Sequence, residues 1–269
     1  MKRKISNVAA SVHARLLNKA KKEGRPFNEI LQYYAMERFL YRLARSQHGK
    51  NFVLKGALAL RKYGGPITRT TKDIDLLGRD TGTVGELVAT LKECMAVKIP
   101  DDGVHFDPET ARGEEIRITA EYSGVRVRFQ GHLGTANLTL QVDVGFGDVV
   151  PDPVEFLFPT LLDSDRPHLL AYTAESIVAE KLEAMLALDM ANTRLKDFAD
   201  LWTLALGTEF SGPLLAQTVR VTLERRRTPI PTSTPIALTS SFYDDPTKKT
   251  QWRSFLRKAN VRGGAGATR

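Results

Sequence analysis

The stretch "LKGALALRKYGGPITRTTKDIDLLGR", Leu54–Arg79, decides how this chain is read. Two aspartates, Asp73 and Asp75, flank a single isoleucine, and the leucine pair Leu76-Leu77 follows them. In an extended strand, residues two apart point to the same side. The alternation therefore predicts a strand over 74–77 in which Ile74 enters the core while the two acids share the other face. Carboxylates held side by side repel one another unless a cation sits between them. Their hard oxygens suit Mg²⁺ (or Mn²⁺), which brings substrate phosphate to complete its coordination. The plainer alternative makes Asp73 a strand-start residue and places Asp75 in a salt bridge.

Upstream of this stretch, residues 7–22 and 26–47 have the three-and-four spacing of amphipathic helices, the second carried by Phe27, Ile30, Leu31, Tyr34, Phe39, Leu40 and Leu43. Pro26 suits a first helical position after the break at Gly24. A strand over 51–55, a short helix over 57–63 and a turn at Gly64-Gly65-Pro66 lead into the two aspartates. Beyond them come a helix over 84–97, with Cys94 in the core, and strands over 116–120, 125–133 and 138–146. Turns are expected at Ser123-Gly124 and Gly134–Asn137. A strand–helix–strand unit followed by a meander predicts an α+β fold: a mixed sheet flanked by an N-terminal helical segment and a helical C-terminal half. Asp143 is the sole charge in LTLQVDVGFG, in the middle of a predicted strand. If its strand neighbours that of Asp73 and Asp75, three carboxylates converge on one sheet edge.

Prolines 151, 153, 159 and 167 punctuate a connection to helices expected over 173–190, 194–206, 212–226 and 247–259, with residues 228–241 as a loop. Trp202 reads as a core residue. The domain organisation expected is a basic helical segment (1–49), a central core (50–150), a helical C-terminal domain (151–262) and a disordered tail (263–269).

Charge is unevenly spread. The chain of 269 residues carries a net +8, yet the first 50 residues hold twelve Lys/Arg against three Glu, a local +9. A basic segment beside a near-neutral body suits a polyanionic partner such as RNA, because each phosphate contact releases counterions. A solvated basic face or an acidic protein partner is the alternative. The single cysteine excludes an internal disulfide framework and multi-cysteine metal sites. No apolar run reaches the length of a membrane span, and the start of the chain makes a poor secretory signal, so no membrane role and a cytoplasmic location are expected. No His/Cys spacing suggests zinc, and neither G-x-S-x-G nor G-x-x-x-x-G-K-[ST] is present.

Four motifs in order carry a resemblance: Gly56-Ala57; Arg69-x-Thr71-x-Asp73-Ile74-Asp75-Leu76 with Val142-Asp143-Val144; Ala179-Glu180-Lys181-Leu182-Glu183-Ala184-Met185; and Arg194-Leu195-Lys196-Asp197-Phe198-Ala199-Asp200-Leu201. The chain resembles the polymerase-beta-like nucleotidyltransferases and, within them, the AbiEii/MenT toxins of type IV toxin–antitoxin systems. The resemblance implies that Asp73 and Asp75 hold metal with Asp143 as third carboxylate. It implies that Lys55, Gly56, Ala57 and Arg69 line the nucleotide, that Lys181 contacts phosphate, and that Asp197 is a polar active-site group. It further implies an NTP substrate, an RNA acceptor such as the 3′ end of tRNA, and a cognate antitoxin. The chain departs from the family in one place: Ala57 stands at the second position of its Gly-Gly/Gly-Ser pair, which removes a hydroxyl and glycine's backbone freedom. Two other readings remain. One is a nucleotidyltransferase acting on a protein or small-molecule hydroxyl; the other is a nucleotide- or RNA-binding module without catalysis.

Overall fold

A computed structural model describes residues 7–64, 71–80, 82–117 and 123–258. Arg69, the turn at 65–66, the end of the strand expected over 116–120 and the tail over 263–269 lie outside the described residues. The chain divides into two units. The first holds residues 1–59, 71–147 and 153–171, and the second holds 60–70, 148–152 and 172–269.

The first unit is built on a mixed seven-stranded sheet in the order β3-β4-β5-β2-β1-β7-β6. Its strands are β1 (Phe52–Lys55), β2 (Asp73–Gly78), β3 (Val104–Arg117), β4 (Ser123–Leu133), β5 (Ala136–Phe146), β6 (Val154–Leu157) and β7 (His168–Ala171). β2 runs parallel to β5, β1 runs parallel to β7, and the other pairs are antiparallel. Three helices pack against the sheet: α1 (Val8–Glu23), α2 (Phe27–Arg45) and α4 (Val84–Met95), while the short α3 (Gly56–Ala59) follows β1.

Local signals set these helix ends. The Asn7 side chain accepts from the Ala10 N–H at 2.9 Å, and Gly24 closes α1 at φ +63°. Thr83 and Glu86 form a reciprocal capping box at the start of α4. Pro26 stands at the N-cap of α2, one residue before the position the sequence suggested. The core lies between the helices and the sheet, where Phe39 of α2 meets Phe106 and Phe129 at 5.9 and 5.1 Å between ring centroids. Val127, Val142 and Ile74 are register neighbours with no exposed surface, so they mark the apolar face of the sheet.

Three expectations change here. Residues 104–117 form one long strand with a register shift between Asp107 and Arg112. Its polar composition, VHFDPETARGEEIR, hides it, because only one face touches α4; Gly113 gives the Val84 and Val88 side chains room there. Ser123-Gly124, expected as a turn, already belongs to β4. The proline-punctuated segment carries β6 and β7, two strands of four residues each, too short for an alternation pattern to reveal.

The second unit is helical: α5 (Ala174–Leu188), α6 (Leu195–Gly207), α7 (Gly212–Arg225), α8 (Ser240–Tyr243) and α9 (Pro246–Lys258). The expected loop over 228–241 contains a 3-10 turn at Ile236–Leu238 and leads into α8. α5 packs on α7 and α6, and α6 on α9. Trp202, expected in the core, is 65% exposed; the buried positions of α6 are Leu195, Asp197, Asp200 and Leu204. A polar pair occupies the buried stripe of this helix and leaves the tryptophan outside.

A candidate nucleotidyl-transfer site

The polar face of the first unit's sheet is laid out by strand register. Lys55 of β1 stands opposite Asp75 of β2, Asp75 opposite Asp143 of β5, and Asp143 opposite Arg126 of β4. Residues in register share a face. Four neighbouring strands therefore present one row with charges plus, minus, minus, plus. Asp73 and Gln141 form the next pair along the same face. Ile74 between the two aspartates is fully buried, as the alternation requires, and β2 and β5 are neighbours.

Gly56 follows Lys55 and turns β1 into α3 at φ +63°, a conformation that L side chains rarely adopt. A Cβ built at this position would stand 2.7 Å from Cγ of Asp75. The bare backbone of residue 56 is thus the space that the Asp75 carboxyl group fills. Ala57, which lies in α3, keeps its N–H but brings no hydroxyl.

Asp143 is engaged by a partner that the sequence reading missed. Arg126 donates from Nε to Oδ1 at 2.8 Å and from Nη2 to Oδ2 at 2.7 Å, a two-point clasp on the carboxylate. Gln141 adds a contact from Nε2 to Oδ2 at 3.3 Å. Hydrogen bonding to Asp143 raises the pKa of Arg126 further, against the cost of its partial burial; the charges of Asp143, Asp73 and Glu114 act in the same direction. One signal for Arg126 was present in VRVRFQ, where arginines alternate with apolar residues. Their value depended on which strand lay alongside.

Among the described residues, no group of three or more Asp, Glu, His or Cys side chains is disposed to hold a metal ion. Asp73 and Asp75 remain a fit pair of hard oxygen donors, since a divalent ion of the Mg²⁺ type draws the rest of its shell from substrate phosphate and water. The space beside Asp75 that a side chain at residue 56 would fill agrees with that use.

The second unit holds another cluster. Lys181 of α5 is 9% exposed, and its Nζ donates to Oδ1 of Asp197 at 2.8 Å and to Oδ2 of Asp200 at 2.7 Å. Arg194, the residue before α6, pairs through Nε with Oδ2 of Asp197 at 2.6 Å. Burial opposes the charge on Asp197, yet Lys181 and Arg194 hold its carboxyl group below the ordinary carboxylate range. The sequence joined Lys181 and Asp197 only through motif likeness; the structure brings them into contact and adds Asp200. Nearby, Arg226 gathers Asp148, Glu180 and Glu183 at 2.8–3.2 Å, so Glu180 of the same motif has a separate partner.

Residues 38–262 match the family model described as "Nucleotidyl transferase AbiEii toxin, Type IV TA system". No curated protein matches the chain. Among solved structures, JHP933 from Helicobacter pylori is similar at 17% identity, covering 87% of this chain and 91% of its own, with a TM-score of 0.47. A nucleotidyltransferase candidate from H. pylori is also similar at 17% identity, covering 87% and 94%, with a TM-score of 0.45. The family match spans both units and all the motifs above, and by it the chain belongs to the AbiEii nucleotidyl transferase toxins of type IV toxin–antitoxin systems.

Proposed function

We propose that this nucleotidyl transferase toxin moves a nucleoside monophosphate from an NTP onto RNA, with the 3′ end of tRNA as acceptor, and so arrests growth. The observation that carries the reading is the room left at Gly56 for the Asp75 carboxyl group, beside the sheet-face charge row. Two aspartates share one face there, and bare backbone lies beside the second. Asp73 and Asp75 would hold a Mg²⁺ or Mn²⁺ ion, which supplies charge neutralisation at phosphorus and makes the attacking hydroxyl more acidic. Lys55, 7% exposed and opposite Asp75, places a positive charge beside the aspartates. The turn at Gly56-Ala57 offers main-chain N–H groups to phosphate oxygens. The acceptor hydroxyl oxygen would attack the α-phosphorus and release its proton to solvent, while the bond from that phosphorus to the bridging oxygen breaks and pyrophosphate leaves. A phosphate contact for Lys181, a polar active-site role for Asp197 and a nucleotide contact for Arg69 are what the family resemblance implies, and within the second unit Lys181 and Asp197 are held together at 2.8 Å.

The RNA acceptor is supported by the basic start of the chain, where Arg15, Lys21 and Lys22 are exposed on α1. That support is smaller than the count of charges suggests. Arg38 and Arg42 are 2% and 6% exposed and serve the core, Arg42 through a two-point pair with Asp102 at 2.8 and 3.1 Å. The antitoxin follows from the type IV system to which the family belongs. No helix among the described residues is long and apolar enough to cross a membrane.

The test is label transfer from each of the four NTPs, with Mg²⁺, into a tRNA pool, a protein mixture or a small-hydroxyl panel. Wild type should label tRNA 3′ ends, and Asp75→Ala should not. Label in protein or small molecules instead would favour the other acceptor classes. Equal transfer by Asp75→Ala would remove the assignment of the site.

A further inference from the structure

The clasp between Arg126 and Asp143 changes what the third carboxylate can do. Both oxygens of Asp143 accept from one guanidinium at 2.8 and 2.7 Å, and Gln141 adds a longer contact. Arg126 and Asp143 are themselves register partners, so the backbone of β4 and β5 holds the clasp in place. Asp143 in turn is the register partner of Asp75. A cation at Asp75 and the guanidinium at Arg126 therefore flank one carboxylate from opposite sides. The guanidinium cannot be deprotonated within the working range of a protein, so it is a permanent competitor.

We propose that Arg126 competes with the divalent cation for Asp143, so that in the nucleotide-free protein the cation is held by Asp73 and Asp75 alone. Arg126 is on this view a positioning residue: it acts on the metal site through Asp143. The proposal rests on the metal reading of Asp73 and Asp75 given above. Its physical content is an exchange of partners. Asp143 can give an oxygen to the cation only by giving up at least one charge-assisted hydrogen bond to Arg126. The neighbours of the pair enter the same balance. Glu114 is the register partner of Arg126 on its other side, and Arg128 bridges Gln141 at 3.0 Å and Glu114 at 2.6 Å. Glu114 is thus occupied by Arg128, which leaves Asp143 as the partner of Arg126.

The experiment is a Mn²⁺ titration of the full-length, nucleotide-free protein, with free Mn²⁺ read by its electron paramagnetic resonance. Asp143→Asn should weaken binding by no more than about threefold, the field of an uncompensated Arg126, since Asp143 is not a ligand of the cation on this view. Arg126→Gln should tighten Mn²⁺ binding by about tenfold, and the double variant Arg126→Gln/Asp143→Asn should return it to the wild-type level. Arg126→Lys keeps the charge but cannot make the two-point clasp, so it should tighten binding by about threefold; a pure field effect would leave it at the wild-type value. A loss of about thirtyfold or more in Asp143→Asn, as removal of a ligand would give, or unchanged binding by Arg126→Gln, overturns the proposal. Asp75→Asn separates the two levels. If it binds Mn²⁺ as wild type does, the metal reading itself falls and takes this inference with it. If only Asp75→Asn loses binding while Arg126→Gln matches wild type, the metal site stands and the competition alone is refuted.

Discussion

The carboxyl group of Asp75 lies where a side chain at residue 56 would stand, with its Cγ 2.7 Å from the position of a Cβ there. Two independent facts thus demand glycine at 56: the left-handed φ of +63° and the approach of Asp75. Gly56→Ala should cost about 1–2 kcal/mol from backbone conformation alone. It should also displace the carboxylate, and a misplacement of about 1 Å at a reacting centre can cost on the order of 100-fold in rate. Thermal unfolding together with the label-transfer assay checks both halves. A variant that transfers at the wild-type rate would show that Asp75 does not need its observed position.

Lys181 sits between two buried aspartates, Asp197 at 1% and Asp200 at 4% exposure. Removing one member of such a cluster leaves buried charge uncompensated, so Lys181→Met should destabilise the protein by about 3–5 kcal/mol. Neutralising the partners as well, with Asp197→Asn and Asp200→Asn, should recover much of that loss. Transfer should stay absent in the triple variant, because the cation assigned to phosphate is still missing. Urea denaturation and single-turnover transfer separate the outcomes. Recovery of stability and activity together would make the cluster purely architectural.

These two clusters also show what the sequence could and could not disclose. Asp73-Ile74-Asp75 was legible because strand alternation is a local property, and Ile74 is buried as expected. The pairing of β2 with β5 was anticipated only as a condition on Asp143, and the register Asp75–Asp143 meets it. Arg126 was not legible, since its meaning comes from a cross-strand partner seventeen residues away rather than from its own neighbours. Lys181 and Asp197 were joined only by motif likeness for the same reason: a helical lysine near acids looks solvated until the helices are packed. Trp202 misled in the other direction, because size and apolarity argue for the core while α6 buries two aspartates instead. Arg38 and Arg42 misled the charge count, as a net charge takes no account of burial.

Glu37 gives a pH-dependent prediction. Burial pushes its carboxyl group up to about 7, against the pull of Arg38, whose Nη2 lies 2.9 Å away, and of the Leu161 N–H, which donates to it at 2.7 Å. A carboxyl whose pKa is raised on folding binds its proton more tightly in the native state. Its stabilising contribution is therefore complete below the unfolded value near 4.5 and is lost as pH rises through about 7. Glu37→Gln does not titrate and serves as the reference. The stability of wild type relative to Glu37→Gln should fall between pH 4.5 and 8, by at most about 3 kcal/mol. Urea midpoints at intervals across that range measure it. A difference that rises with pH would mean that Arg38 outweighs burial.

Cys94 offers a test of the helical layer away from the site. Its side chain is fully buried in α4, it donates to Oγ of Ser46 at 3.4 Å, and burial pushes its pKa up to about 11. At pH 7.5 almost all of the thiol is then protonated, and the thiolate is the reactive species. Native protein should consequently resist iodoacetamide over hours and react fully once unfolded in urea. Because α4 packs on α2 and β3, the labelling rate in intermediate urea should follow the unfolding of the first unit's core. Ser46→Ala, which removes the partner that favours the thiolate, should slow labelling of the native state further or leave it unchanged. Rapid modification of the native wild type would place Cys94 at the surface and contradict the packing of α4 on the sheet.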